Sequence, residues 1–276
     1  MCLCSRPALK NNPCERLFSH AVAAVSLASG CLLFSVQGNA DTHNARQWVM
    51  RMERAVEFTN YEGRMVYMRP GSADTFQIYH RVNGDDVEER LIRMDGEGAE
   101  IIRRKNELIC IFPSKKAVVV EMRGPRSPKR NPLQTSVPGY DASMTENYSL
   151  VMIGKGRVAG REAVRVGINP NDDFRYGYRL WLDYKTAMPL KAQLIGSDPQ
   201  MPLEELRFTS ISLDKPVAAE DVQSSLDTET YTWVKASDST VLGRSAAAQI
   251  NWKATDLPRG FMLTAAQLEY TNSASN

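Results

Sequence analysis

The stretch that decides the fold is Tyr178-Arg-Leu-Trp-Leu-Asp-Tyr-Lys-Thr-Ala-Met-Pro-Leu-Lys-Ala-Gln-Leu-Ile195. Each half alternates between apolar and polar residues, which is the period of a β-strand with one buried face. Residues 184–189 turn the chain between the halves, and Pro189 can open the second strand where its missing N–H is not needed. The stretch predicts a β-hairpin with Trp181 on the polar face and an apolar face made of Leu180, Leu182, Leu190 and Leu194.

Short strands with local turns run through most of the chain. Asn83-Gly84 is a strong tight-turn signal, and other Gly, Pro and Asn turns separate the remaining strands. The intervals are too short for helical crossovers, so they favour an antiparallel meander over a parallel sheet. In the last strand Leu206 and Phe208 are out of phase with Ile211 and Leu213, which indicates a bulge. The predicted strands cover residues 63–69, 75–82, 87–94, 100–104, 108–112, 117–122, 148–154, 158–168, 176–183, 190–195 and 204–213.

One amphipathic helix precedes these strands. Asn44 is a suitable N-cap, apolar residues recur after it at spacings of three and four, and the pattern ends near Phe58. The predicted fold class is therefore mainly β with an N-terminal helix. The apolar positions of the helix are Trp48, Val49, Met52, Ala55 and Val56.

The first 40 residues have the pattern of a signal peptide. A basic start is followed by apolar residues 17–36 without an acid, and Gly38-Asn39-Ala40 presents small residues to a signal peptidase. We expect cleavage after Ala40 and a periplasmic location. Two alternatives stay open. One is an uncleaved membrane anchor, since the apolar run is close to the about 20 residues that span a bilayer, and the other is lipidation at Cys31.

Charge and cysteine content exclude several classes of protein. Of the 34 Lys and Arg and 32 Asp and Glu residues, three basic and one acidic lie in residues 1–40, so the remainder carries no net charge. A nucleic-acid binder would normally be basic. Four of the five cysteines also lie in residues 1–40, which leaves Cys110 in an apolar strand as a small core residue.

Residues 124–139 interrupt the meander with four prolines and no apolar periodicity. Long loops in compact domains are more often functional than not. We expect this loop to be mobile and accessible to proteases, and we expect its basic residues Arg126, Lys129 and Arg130 to contact anionic lipid.

A change of composition near Pro216 divides the chain into domains. Residues 215–230 are small and polar and are interpreted as a linker. The large domain is predicted to cover residues 41–214 and a small α+β domain residues 231–276. Ending at Asn276, this second domain is expected to be incomplete.

A catalytic or metal site is not indicated. His80 alternates with polar residues on a strand and has no motif that would pair it with a nucleophile or a metal. The acid pairs Asp85-Asp86 and Asp172-Asp173 stand in turns, where Asp bonds the local backbone. We therefore predict no enzyme activity and no cofactor, and keep a hydrolase as the weakest alternative.

Two resemblances add to this interpretation. The hairpin contains Trp-x-Asp, a short turn and Pro-Leu-Lys in this order. This pattern resembles that of the LolA/LolB-like lipoprotein-carrier fold, which is an open barrel around an apolar cavity. Over the chain as a whole, the order of motifs resembles the MucB/RseB family. Those motifs are Tyr61-Glu-Gly63, Met65-Val-Tyr67, Tyr79-His-Arg-Val82, Glu89-Arg-Leu91, Gly160-Arg-Glu-Ala163, the hairpin, and Trp252 with Leu257-Pro-Arg-Gly-Phe261.

The family resemblance implies a periplasmic regulator of envelope-stress sigma-factor signalling. Such a regulator binds the periplasmic domain of a transmembrane anti-sigma factor, protects it from proteolysis, and senses lipoprotein acyl chains or lipopolysaccharide. With an incomplete second domain, we expect weaker partner binding. The alternative is a plain periplasmic lipoprotein or lipid carrier.

The shared apolar face of the strands predicts where a ligand would lie. A strongly curved sheet must bury that face against itself or against the helix, so we expect an apolar cavity there. Trp181 is expected on the opposite face, beneath the helix of Trp48. The predicted cavity residues are Leu180, Leu182, Leu190, Leu194, Leu206 and Phe208.

Overall fold

In the computed structural model, twelve strands of alternating residues form one large sheet. The structure describes residues 37–122, 142–213, 215–236 and 256–261. Within these ranges two α-helices accompany the sheet, α1 (Gln37–Phe58) and α2 (Ala142–Asn147). The strands are β1 (Tyr61–Arg69), β2 (Ser72–Asn83), β3 (Asp86–Arg93), β4 (Ala99–Arg103), β5 (Glu107–Phe112), β6 (Ala117–Met122), β7 (Tyr148–Val158), β8 (Arg161–Pro170), β9 (Gly177–Asp183), β10 (Pro189–Ile195), β11 (Pro202–Ser212) and β12 (Thr232–Ala236).

The sheet consists of two antiparallel meanders. Strands β1 to β6 pair in sequence, and so do β7 to β11. The meanders join where β1 pairs with β11, and β12 adds to β6 as a parallel neighbour. Within the described residues β7 and β12 remain the two edges, so the sheet does not close. The predicted fold class, mainly β with one N-terminal helix and an open barrel-like sheet, is confirmed.

The bulge predicted in the last strand is confirmed. Arg64 pairs with Ser210 and Met65 with Phe208, which leaves Thr209 as the extra residue of β11. Beside this bulge, a Cβ on Gly63 would lie 2.5 Å from the Ser210 carbonyl oxygen. The two strands therefore approach so closely that β1 needs a residue without a side chain here.

Two predicted boundaries are wrong. Strand β7 does not stop at Gly154: this residue has φ 134°, and a register shift there lets pairing with β8 continue to Val158. The break comes instead at Ala159 and Gly160, which both have positive φ and form the turn. Helix α1 begins at Gln37, so Asn44 lies inside it and is not the N-cap.

The main core lies between α1 and one face of the sheet, which we call the inner face. The helix rests against β7 and β8. It contributes Ala45, Trp48, Val49, Met52 and Val56 to an apolar cluster with residues of both meanders. The three-and-four spacing of the helical residues is what directs them all to one side.

A second, smaller core lies on the opposite, outer face of the sheet. Ile102, Ile111 and Val118 form it, and Leu226 and Tyr231 pack against them. The Arg90 guanidinium donates two hydrogen bonds to the Glu100 carboxylate, at 2.9 and 3.1 Å, and one to the Ser225 hydroxyl. The segment predicted as a linker therefore covers the outer face of the first meander. The predicted domain limits themselves stay a prediction.

Candidate ligand-binding face

The six predicted cavity residues lie on β9, β10 and β11 of the second meander. Five are buried, with exposed fractions of 0–5%, and Leu194 is half-buried. Leu180 pairs with Ala192, and Ala192 with Leu206, so the apolar side chains of three neighbouring strands share the inner face. A cavity lined by them stays a prediction. The buried members are Leu180, Leu182, Leu190, Leu206 and Phe208.

Trp181 does lie opposite the buried leucines, but its predicted position beneath α1 is wrong. The helix packs on the Leu180 and Leu182 side of the hairpin, with Trp48 in the same cluster. Trp181 lies on the outer face, with the Lys191 ammonium 4.6 Å from the centre of its ring. The alternation placed Trp181 correctly relative to its neighbours, but it could not say which face the helix covers.

The hairpin turn is held by one carboxylate. Asp183 accepts hydrogen bonds from the Lys185 N–H, from the Thr186 N–H and hydroxyl, and from Arg161 Nε at 2.7 Å. Burial by itself would raise the pKa of Asp183, but the bonds from Arg161 and Thr186 outweigh it and hold the pKa below its ordinary value. The Trp-x-Asp motif thus ends its strand with a residue that caps the turn and fixes the hairpin.

A row of polar side chains crosses one end of the inner face. Tyr61 pairs with His80, His80 with Glu89, and Glu89 with Arg103, on four successive strands. His80 Nδ1 lies 2.9 Å from the Thr59 carbonyl oxygen. Within the described structure, the Tyr61 hydroxyl and Glu89 Oε2 are buried without a hydrogen-bond partner. Three of the motifs quoted above therefore meet in one place.

Burial is the largest cause of the pKa shifts in this row. It raises the pKa of Glu89 to about 7, against the lowering effect of the Arg103 charge. It lowers the pKa of His80 to about 4, although the bond to Thr59 acts the other way. The pKa of Tyr61 is raised well above its ordinary value, again mainly by burial. Sequence reasoning took His80 as an ordinary sheet residue and missed the row, although the shared strand positions of the motifs could have indicated it.

Beyond this row, the inner face continues as an apolar surface towards β12. Ile101, Cys110 and Val119 lie opposite one another on β4, β5 and β6, and Val234 follows on β12. The first three are half-buried and Val234 is 47% exposed. This row offers partly exposed apolar contact on the inner face. The Cys110 thiol belongs to it, and burial raises its pKa, which disfavours the reactive thiolate.

The predicted anionic contacts Arg126, Lys129 and Arg130 fall outside the described residues, as does Trp252. Among the described residues, no cluster of three or more His, Cys, Asp or Glu is arranged to hold a metal ion. In that same part of the chain, no helix is long and apolar enough to cross a membrane.

An open antiparallel sheet with an apolar inner face, partly covered by a helix, is an arrangement suited to binding an apolar ligand. Comparison with known proteins agrees: the family profile described as the MucB/RseB N-terminal domain matches residues 44–226. The chain belongs to the MucB/RseB family, and the relatives described next are named as sigma factor regulatory proteins.

Sequence identity to individual relatives supports the same family assignment. The chain is 32% identical to the sigma factor AlgU regulatory protein MucB of Pseudomonas aeruginosa over 222 residues, 80% of this chain and 65% of that protein. It is 24% identical to the sigma-E factor regulatory protein RseB of Escherichia coli K12 over 242 residues, 86% of this chain and 71% of that protein. The aligned region thus spans slightly less than two thirds of the length of the Pseudomonas relative.

A solved structure is similar as well. The complex of P. aeruginosa MucA and MucB superposes with a TM-score of 0.52 at 32% identity, covering 66% of this chain and 61% of that chain. The resemblance to the MucB/RseB family that the motif order predicted is confirmed.

Proposed function

We propose that this protein is a periplasmic negative regulator that binds the periplasmic domain of a transmembrane anti-sigma factor and protects it from proteolysis. The observation that carries the proposal is the 32% identity to MucB, a sigma factor regulatory protein whose structure has been solved with MucA, an anti-sigma factor. The match covers both meanders of the sheet.

Release of the partner would depend on a lipid signal in this proposal. The support is the apolar row on the inner face, which offers contact to acyl chains and consists of the half-buried Ile101, Cys110 and Val119 and the exposed Val234. The predicted cavity under α1 and the predicted lipid contacts of residues 126–130 belong to the same proposal. The second domain predicted for residues 231–276 would take part in holding the partner.

The test is capture of the periplasmic segment encoded by the anti-sigma factor gene nearest to this one. The full chain should retain the purified segment and slow its cleavage by an added protease. An unrelated periplasmic peptide of equal length and charge is the control. If the chain neither retains nor protects the segment, the regulator function is wrong.

A lipid carrier is the second candidate, favoured by the same apolar row. Displacement of a dansyl-labelled fatty acid measures it directly. Val234→Lys puts a charge on the inner face and should weaken probe binding at least fivefold. Trp233→Lys, its neighbour on the outer face, is the matched control and should leave probe binding within twofold. Probe binding without retention of the anti-sigma segment would favour the carrier over the regulator.

A further inference from the structure

The outer face of the second meander carries an uneven charge. Arg165, Arg179, Lys191 and Arg207 lie on four adjacent strands, β8 to β11. Glu205 lies beside Lys191 and Arg207, and Asp183, on the same face of β9, is paired with Arg161. Lys191 and Arg207 are directly opposite each other across β10 and β11. Like charges in directly opposite cross-strand positions destabilise a sheet. This arrangement therefore lowers stability unless an anion offsets it.

Glu205 neutralises only part of the cluster. Its carboxylate binds the Lys191 ammonium at 2.7 Å and the Gln193 amide at 2.6 Å, and Arg207 Nε lies 3.9 Å away. Arg165 lies over the Trp181 ring, 5.3 Å from its centre, rather than against a carboxylate. Arg179 has no ion pair within the described residues. Arg179, and Arg207 with its side chain 49% exposed and beyond hydrogen-bond distance of Glu205, are therefore the two guanidinium groups available to an anion outside the chain.

Exposed aliphatic side chains border the cluster. A Cβ on Gly167 would lie 2.9 Å from Val151 and 3.1 Å from Ile153, so both side chains rest over Gly167 on the outer face. Gly167 is also the direct neighbour of Arg179. Val151 is 36% and Ile153 38% exposed. Apolar tips therefore stand beside the Arg179 cation, on a surface about 20 Å wide across five strands.

We propose that this outer face of β7 to β11 docks on a membrane surface through anionic phospholipid headgroups. Basic residues near such a surface attract it electrostatically, and adjacent aliphatic or Trp side chains suit the headgroup boundary. An extended acidic peptide fits less well. Strands β8 to β11, which carry the four basic residues, each have two neighbours, so a peptide strand could add only at the β7 edge and not beside those residues. Docking would orient the inner face, on the other side of the sheet, away from the membrane.

Vesicle flotation of the full chain tests the proposal. We expect partitioning onto phosphatidylcholine vesicles that contain 30% phosphatidylglycerol to exceed that onto pure phosphatidylcholine at low ionic strength, and the difference to disappear in 0.5 M NaCl. Arg179→Gln with Arg207→Gln should lower partitioning about 30-fold, since each basic residue contributes about fivefold. All variants are full-length, so any contribution of residues 1–36 cancels.

A matched control removes the same charge elsewhere. Arg104 and Lys105 stand at the turn between β4 and β5, paired with Glu107 and Asp86. Arg104→Gln with Lys105→Gln should lower partitioning less than threefold. Val151→Ser with Ile153→Ser should weaken binding in a way that salt does not remove. Far-ultraviolet circular dichroism and urea midpoints verify that every variant is folded.

Three results would overturn the proposal. The first is equal partitioning onto anionic and neutral vesicles. The second is an equal loss of vesicle binding in the Arg179→Gln, Arg207→Gln variant and the Arg104→Gln, Lys105→Gln variant. That result would show that vesicle binding depends on net charge rather than on this face. The third is binding of poly-glutamate, weakened by Arg179→Gln with Arg207→Gln, without vesicle binding, which would assign the face to an acidic polypeptide.

Discussion

Tyr61 and His80 stack face to face across β1 and β2, with ring centroids 4.7 Å apart and planes inclined by 10°. Phe208 meets Tyr61 in an edge-to-face arrangement, with ring centroids 6.3 Å apart and planes inclined by 88°. The stack joins the polar row of the inner face to the apolar core, so the protonation of His80 and Glu89 is coupled to packing at the centre of the sheet.

Glu89 makes stability fall as the pH rises. The folded-state pKa of Glu89, about 7, lies above the ordinary value of 4.5. The favourable contribution of Glu89 to stability is therefore fully present below pH 4.5 and is lost as the pH rises through 7. Glu89→Gln lacks this loss. Relative to the parent, the variant should gain about 3 kcal/mol of unfolding free energy between pH 4.5 and pH 8. Urea unfolding at several pH values measures this. Glu88→Gln, the adjacent change on the opposite face, is the control, and a pH-independent difference at Glu89 would contradict the prediction.

His80 acts in the opposite direction. Its pKa is lowered from 6.5 to about 4, so the stability associated with the neutral ring is present above pH 6.5 and is lost as the pH falls through 4. His80→Phe keeps a ring against Tyr61 and cannot titrate. As the pH falls from 7 to 4, the unfolding free energy of this variant should rise by about 3 kcal/mol relative to that of the parent. Thermal unfolding across that range provides the measurement, with Tyr79→Phe as the control. The prediction is wrong if both variants change in parallel.

Gly63 is needed for the approach of β1 to β11. An added Cβ would lie 2.5 Å from the Ser210 carbonyl oxygen and 3.0 Å from Phe208 Cδ1, and the backbone atom cannot move aside easily. Gly63→Ala should cost about 1–3 kcal/mol. Gly156→Ala, where the nearest atom belongs to the Trp181 side chain at 3.1 Å, should cost less. Equal urea midpoints for the two variants would argue against this account.

Asp183 should be the most sensitive position of the hairpin. Asp183→Ala removes the acceptor of four hydrogen bonds and leaves the Arg161 guanidinium without this carboxylate, so we expect a loss of about 2–4 kcal/mol at pH 7. The lowered pKa means that this stability is present above pH 3.8 and declines as the pH falls through the folded-state value.

The control for Asp183 is another turn aspartate. Asp198 is exposed, and within the described part of the chain its carboxylate accepts a single bond, from the Gln200 N–H at 2.8 Å. Asp198→Ala should cost less than about 1 kcal/mol. Comparable losses at the two positions would show that the network around Asp183 is not special.

Local patterns predicted much of this fold because the meanders are local structures. The alternation of residues 178–195 contains everything that a hairpin needs, and the phase change after Phe208 is itself the bulge. The pairing of β1 with β11 and of β12 with β6 joins distant segments, and no local pattern specifies it. Predicting the place of Trp181 relative to α1 required knowing which face the helix covers. The polar row was missed for the same reason, since its members come from four strands.

The central position of β1 has a consequence for how the chain folds as it is made. Each meander uses neighbouring strands and can form while later residues are still absent. Strand β1, however, receives its second neighbour only when Pro202–Ser212 has emerged, and closing so long a loop is entropically costly. Until then Tyr61–Arg69 is an exposed edge with unpaired backbone groups. Nascent chains are therefore most exposed to aggregation and to chaperones in the interval before β11 arrives.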